Sequence, residues 1–332
     1  MKRAAKIAGG TAALVLVAAL AAVAWLWNAA YRNRSTPVAQ TQVVIVQGST
    51  FGEVARQLAA AGVIDNVLVF RLLARMRGEE TEVRAGEYRF PPRQTQNEVL
   101  RALISGGAQV AAWVTVPEGF TGRQIAERLQ EAGIGPADEF ARAFARDSIV
   151  VDGKRTKNLE GFLFPSTYLI PLGASPQQVE STMTREFFRR LPPDAAAQAR
   201  RLHVSVPQAI TVASLIEREA KIDADRPAIA GVVYNRLRLG MPLEVDATIE
   251  YALPQHKREL LLSDLKIDSP YNSYTHAGLP PTPIANPGRP SMEAALHPSK
   301  TGFLYYVYCG NGRHVFANTL SEHQANVARC LH

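Results

Sequence analysis

The residues with the most chemical promise stand at the end of an apolar run. Ala209-Ile210-Thr211-Val212-Ala213-Ser214-Leu215-Ile216 leads directly into Glu217-Arg218-Glu219. The run predicts a buried helix. A carboxyl group carried at its end is held away from water, and desolvation disfavours the charged form and raises the pKa. A carboxylic acid kept protonated near neutrality is the general acid that glycosidic bond cleavage requires. The helical wheel leaves the choice of acid open, because Glu217 falls beside Ile210, Ala213 and Ala220, and Glu219 beside Val212 and Leu215. The competing reading is a solvated helix end in which either glutamate pairs with Arg218 or Lys221.

Three further groupings follow. Tyr234-Asn235-Arg236-Leu237 reads as part of a helix that stops near Gly240, with Asp246-Ala247-Thr248 and Tyr251 in the acidic segment beyond it. Asp246 has two readings, a second acid or orienting partner, and a cap for the helix beginning at Thr248. Ser269-Pro270-Tyr271-Asn272-Ser273-Tyr274, Gly278-Leu279-Pro280-Pro281 and Asn286-Pro287-Gly288 carry too many prolines for helix or strand. They predict a long irregular loop, either a surface strap or a functional segment. Tyr271, Asn272 and Tyr274 would offer flat faces with polar tips, suited to sugar rings. The runs 303–308 and 314–316 flank Asn311-Gly312, a hairpin signature. His314 on the second run either faces a cleft or is structural.

Other chemistries lack their motifs. There is no H-E-x-x-H and no close His/Asp cluster, so neither a metal nor another cofactor is expected. The chain has no phosphate-binding glycine loop and no G-x-S-x-G. Basic residues are scattered rather than gathered on a nucleic-acid module, so no nucleic-acid partner is expected. The balance of 37 Lys and Arg against 30 Asp and Glu gives a net charge of +7, which suits an acidic partner without naming it. At 332 residues, two domains of ordinary size are expected.

The elements that must position these groups begin with a repeat. Val44-Ile45-Val46 leads through Gly48 and Thr50 into a helical pattern ending at Gly62. Thr115-Val116 leads through Gly119 and Thr121 into one ending at Gly133, 71 residues later. In each copy a strand ends at a glycine turn, a threonine caps an amphipathic helix, and a glycine stops it. The copies are either a common βα unit used twice or glycan-binding pieces like those that open a LysM module. Strand 85–90 and helix 97–104 lie between them, and helix 176–191 precedes the acid-bearing run.

Ile7–Trp27 is 21 residues without a charge, enough as a helix to cross a bilayer core. Lys2, Arg3 and Lys6 precede it and Trp25 and Trp27 close it, which predicts a single-pass anchor with the N-terminus in the cytoplasm. A cleaved signal peptide is the rival, with a shorter apolar region expected. Residues 31–42 read as a tether. Outside the cytoplasm, Cys309 and Cys330 would either pair or remain two buried thiols.

The ordered series Leu159-Glu160-Gly161-Phe162-Leu163-Phe164-Pro165, Ala213 to Glu219, Asn235-Arg236-Leu237, Asp246-Ala247-Thr248 with Tyr251, Ser269 to Tyr274, Gly278 to Pro281, Asn286-Pro287-Gly288 and His314-x-Phe316 resembles the endolytic murein transglycosylase (MltG, YceG-like) family. The resemblance covers nearly the whole chain. It departs from the family pattern at Ser166, often Asp, and at Ser273, often Thr. It implies an α+β fold: anchor 1–30, linker 31–42, LysM-like region 43–155 and catalytic domain 156–332. It implies a protein of the bacterial inner membrane facing the periplasm, working beside the peptidoglycan synthases (penicillin-binding proteins). The implied reaction cuts the MurNAc–GlcNAc bond of nascent peptidoglycan and leaves 1,6-anhydro ends. Of the two glutamates, it implies Glu217 as catalytic. Glu219, Asn235, Asp246, Thr248, Tyr251, Tyr271, Asn272, Tyr274 and His314 are expected around the substrate. A muramidase-type hydrolase with Asp246 or Glu219 as second carboxylate, or a non-catalytic glycan-binding scaffold, would fit the same residues.

Overall fold

The computed structural model describes residues 2–33, 39–253, 260–310 and 313–330, with side chains from residue 14 onward. Residues 34–38 of the tether, the basic side chains ahead of the apolar helix and the Asn311-Gly312 turn therefore lie outside the described residues. The fold is mixed α+β. Contacts divide it into two units, Met1–Val114 with Tyr168–Leu172, and Thr115–Thr167 with Gly173–His332. The second βα copy therefore begins in the unit that carries Glu217.

In chain order the first unit contains α1 (Lys2–Tyr31), β1 (Thr41–Ile45), α2 (Phe51–Ala60), α3 (Val67–Arg77), β2 (Gly86–Phe90), α4 (Gln96–Ser105) and most of β3 (Gln109–Thr115). Its sheet has the order β1-β2-β3-β6, where β6 is Thr167–Pro171. β2 runs antiparallel to β1 and to β3. The core is built on Tyr88, Phe90, Phe70, Leu58, Leu100 and Leu103, and includes Ala29 and Ala30 from the end of α1. Among the described residues, α1 alone is long and apolar enough to cross a membrane.

The second unit holds α5 (Gly122–Glu131), α6 (Ala137–Arg146), the short pair β4 (Val150–Val151) and β5 (Lys154–Arg155), α7 (Pro176–Arg190), α8 (Ala195–Arg201), α9 (Val206–Glu219), α10 (Arg226–Leu239), α11 (Asp246–Ala252), α12 (Arg289–Leu296), the antiparallel pair β7 (Tyr305–Tyr308) and β8 (His314–Ala317), and α13 (Leu320–Cys330). α9 is its axle. Every residue from Ala209 to Ile216 is buried, and α8, α10, α11 and α12 pack around it. A helix apolar on all faces is stable only when enclosed in this way. Cys309 and Cys330 form a disulfide that ties α13 back to the hairpin.

The repeat has its expected local physics. Thr50 caps α2 and Thr121 caps α5, each in a reciprocal capping box closed by Glu53 and Gln124 respectively. Gly62 (φ 73°) and Gly133 (φ 74°) follow the two helices in the left-handed conformation that stops them. Asp246 does not cap α11. Val245 occupies the cap position without a side-chain bond, and Asp246 is the first helical residue. Its carboxylate instead accepts from Tyr274 OH.

Candidate functional site

Glu217 stands at the last turn of α9 with its side chain only 6% exposed. Gly288 N–H donates to Glu217 Oε2 at 2.9 Å, and Arg226 Nη1 donates to Oε1 at 3.3 Å. Arg226 is fixed at the start of α10 by Asp223, whose Oδ1 accepts from Nε at 2.9 Å, and by the hydroxyl of Ser291 on α12. The acid is thus held by a helix end, a neighbouring helix and the loop before α12.

A second carboxyl group enters from the turn before α5. A Cβ on Gly288 would collide with the Glu118 carboxylate, so only glycine at 288 lets Glu118 sit there while the same backbone serves Glu217. Gly119, at φ 79°, presents its Cα toward Glu217, and a Cβ there would lie 3.6 Å from Glu217 Cγ. Its N–H donates to Asn286 O at 2.9 Å. Burial raises the Glu118 carboxyl above the usual carboxylate range, and the charge of Glu217 pushes the same way. Arg226 opposes both, while Asp223 adds to them. The carboxyl groups of Glu118, Glu217 and Asp223 therefore lie around one guanidinium, and burial favours the protonated form of Glu118 among them.

Beside this cluster a cavity of about 590 Å³ is lined by Thr121, Gln124, Glu160, Arg218, Glu250 and Tyr251, among others. Arg218 Nη2 donates to Glu250 Oε2 at 2.9 Å. Glu160 was named only within a motif by the sequence, yet it is a buried acid at the wall of this cavity. Gly122 N–H donates to both its oxygens, at 3.0 and 3.1 Å, Asn286 Nδ2 donates to Oε1 at 2.9 Å and Tyr251 OH to Oε2 at 3.3 Å. Burial outweighs these hydrogen bonds and pushes its carboxyl up to about 7.

That value sets a pH dependence. The folded state keeps the Glu160 proton to about pH 7, whereas the unfolded chain releases it near 4.5. The contribution is complete below the lower value and is lost as pH rises through the upper one. Glu160→Gln keeps one oxygen for Gly122 and Asn286 and turns a donor toward Tyr251. It is expected to fold and to flatten this stretch of the stability curve, a change of roughly 2–3 kcal/mol across the window. Urea denaturation of both proteins between these pH values checks it. Parallel curves would mean that Glu160 is ionised throughout.

The remaining residues expected at the site fall into three groups. Glu219, at the same helix end, accepts from Tyr306 OH at 3.0 Å. Burial raises its pKa, and the nearby Asp246 adds to the effect. Asp246 accepts a short hydrogen bond from Tyr274 OH, so Glu219, Asp246 and Tyr274 form one neighbourhood. Tyr251 and Tyr271 form another, with ring centroids 4.9 Å apart. Tyr271 OH lies 2.8 Å from Thr282 Oγ1.

The third group has its polar atoms engaged internally. Asn235 Nδ2 donates to Thr301 O and Phe303 O, both at 2.9 Å. Thr248 is wholly buried and joins Val245 O and Ser273 Oγ. Asn272 Nδ2 donates to Leu265 O and Ile267 O, and its Oδ1 accepts from Tyr274 N–H. These bonds hold the proline-rich loop. His314 is turned onto Asp225, which accepts from its N–H at 2.7 Å and lies 3.0 Å from its Nδ1. Its β-strand alternation could not disclose that partner 89 residues away. Among the described residues, no group of three or more His, Cys, Asp or Glu is placed to hold a metal ion.

The pattern of the YceG-like family matches residues 43–329. The chain is 36% identical over 300 residues to an endolytic murein transglycosylase of Bacillus subtilis, covering 84% of this chain and 81% of that one. It is 30% identical over 318 residues to one from Streptococcus pneumoniae, covering 86% of this chain and 57% of that longer protein. A crystal structure of a YceG-like protein of Listeria monocytogenes superposes with a TM-score of 0.63 at 30% identity, covering 87% of this chain and 99% of the other.

Proposed function

The chain belongs to the YceG-like family, and from that premise we propose that it is an endolytic lytic transglycosylase of peptidoglycan with Glu217 as its acid and base. The observation that carries this reading is the sheltered Glu217 carboxyl, gripped by Gly288 N–H and Arg226 beside the Glu118 carboxyl group. Glu217 gives that proton to the glycosidic oxygen as the MurNAc C1–O bond breaks. An oxocarbenium-like state develops at C1. The Glu217 carboxylate then takes the proton of the C6 hydroxyl as O6 closes on C1, and no water is consumed. Arg226 and Gly288 stabilise the carboxylate between the two transfers. Product mass spectrometry tests the reaction, because anhydro ends are lighter than hydrolysed ends by one water.

Tyr251, Tyr271, Tyr274, Asp246 and Glu219 contact the glycan in this reading. Asn235, Thr248 and Asn272 serve it by fixing the loop and the α10–β7 connection, and His314 by its bond to Asp225. α1 anchors the chain in the inner membrane with its N-terminus cytoplasmic and the catalytic unit in the periplasm, where peptidoglycan synthases supply nascent strands. The first βα unit is a LysM-like glycan holder.

The closeness of the Glu118 and Glu217 carboxyl groups predicts a pH effect. Glu118→Gln removes one negative charge from the surroundings of the reacting proton, which is then lost at lower pH. The alkaline limb of the rate profile is expected to move down by roughly one unit with the plateau retained. Rates of anhydro-end release between about pH 5 and 9 check this. A uniform drop at every pH would instead give Glu118 a packing role.

A further inference from the structure

α3 has a face that its own unit does not use. It buries Val69, Phe70, Leu73 and Ala74 in the core. Leu68, Leu72 and Met76, four residues apart, remain 75%, 39% and 79% exposed, and at that spacing they form one stripe. Arg71 and Arg75 are exposed along one edge of it. Lines of large apolar residues on a surface mark a partner or a membrane.

The other edge of the stripe meets α1. Leu72, Met76, Val23, Leu26 and Trp27 help line one apolar cavity of about 330 Å³. The end of α1 is part of the folded unit, because Ala29 and Ala30 are in its core, Gln96 Nε2 donates to Ala29 O at 3.2 Å and Arg77 Nη2 donates to Tyr31 OH at 2.9 Å. The apolar stretch of α1, Leu14–Tyr31, spans roughly 27 Å as a helix, so its last turn falls at headgroup depth in a bilayer. α3 packs against that last turn.

We propose that α3 is an interfacial helix, with Leu68, Leu72 and Met76 entering the acyl boundary of the leaflet on the side of the folded unit and Arg71 and Arg75 meeting lipid phosphates. The inference rests on the reading of α1 as a membrane span. Apolar surface continuous with that of α1, flanked by guanidinium groups that pair with phosphate, is the composition of a helix lying in a bilayer interface. The first unit would then be held at a fixed tilt above the membrane rather than swinging on its anchor.

The test uses the full chain in vesicles of phosphatidylcholine with a minority of phosphatidylglycerol. Both native cysteines are in the disulfide, so a cysteine introduced at 20, 68, 76 or 142 takes a fluorescent probe alone. Brominated lipids are expected to quench the probes at 68 and 76 by roughly twofold, most strongly with bromine near the headgroup. The probe at 20 should respond to deep bromine and the one at 142, on α6, to neither. Arg71→Glu with Arg75→Glu should reduce quenching at 68 and leave position 20 unchanged. Quenching at 20 without quenching at 68 and 76 overturns the proposal, and blue-shifted emission there would assign the stripe to a protein partner or a second copy. Absence of quenching at 20 would remove the anchor reading itself, a separate result.

Discussion

Glu217→Gln is expected to lower the release of 1,6-anhydro ends by roughly 10³–10⁴-fold while leaving the fold in place. The size follows from the residue's double duty. A single general acid or base is worth about 10²–10⁴-fold, and in the proposed mechanism one carboxyl gives the first proton and takes the second. The amide keeps an oxygen for Gly288 N–H, so the loop before α12 stays where it is. It sets an N–H group toward Arg226, but Arg226 retains Asp223 and Ser291. The stability change should therefore stay near ~1 kcal/mol. Mass spectrometry of digested glycan and a thermal melt read the two quantities separately. Turnover at the wild-type rate in the variant would remove Glu217 from the mechanism, and a matching loss of fold would leave its chemistry to be tested by Glu217→Asp.

The second large effect lies at Asn286, which touches no substrate in the proposed reaction. It is wholly buried. Its Oδ1 accepts from Gly161 N–H and Leu163 N–H, and its Nδ2 donates to Phe120 O and Glu160 Oε1, each at 2.9 Å. The turn it closes leaves no space for error, because Gly161 stands at φ 88° and a Cβ there would collide with Pro283. Asn286→Ala strands two buried N–H groups. Phe120 O keeps the Asn286 backbone N–H, and Glu160 keeps Gly122. An unpaired buried group costs about 1–3 kcal/mol, so a loss of roughly 3–5 kcal/mol is expected by urea denaturation, well above an ordinary substitution. Activity should fall with it, since Glu118, Gly119 and Gly288 all lie on segments that Asn286 joins. Asn286→Asp restores the acceptor but confronts Glu160 with a second carboxyl. Its deficit should shrink as the pH is lowered and one of the two is protonated. Equal deficits for the two variants at low pH would show that the amide's oxygen is not what matters.

Much of this protein is written locally. Thr50 with Glu53 and Thr121 with Gln124 mark helix starts because a capping box needs only four consecutive residues. α9 is legible as a buried helix because no charged residue interrupts its apolar run before Glu217, and the polar Thr211 and Ser214 within it are small. The proline-rich stretch from 269 to 288 could only be a loop. Those patterns placed a carboxyl group at the end of an enclosed helix and left acid chemistry and a solvated helix end as its two readings.

The partners of that acid were decided elsewhere. Glu217 is met by residue 226 on the next helix, by the backbone of 288 and by the turn at 118–119. None of these lies within the reach of a helical or strand period, which relates only near neighbours in the chain. The same holds for Glu160, buried by segments from 122, 251 and 286, and for His314, whose aspartate lies on another element. Sequence periodicity marked Ala209 to Ile216 as an enclosed helix but did not disclose the enclosure of Glu160 or His314. Only the packing of distant segments around α9 determined which charges and N–H groups enclose them, because desolvation and pairing energies depend on distance in space and not along the chain.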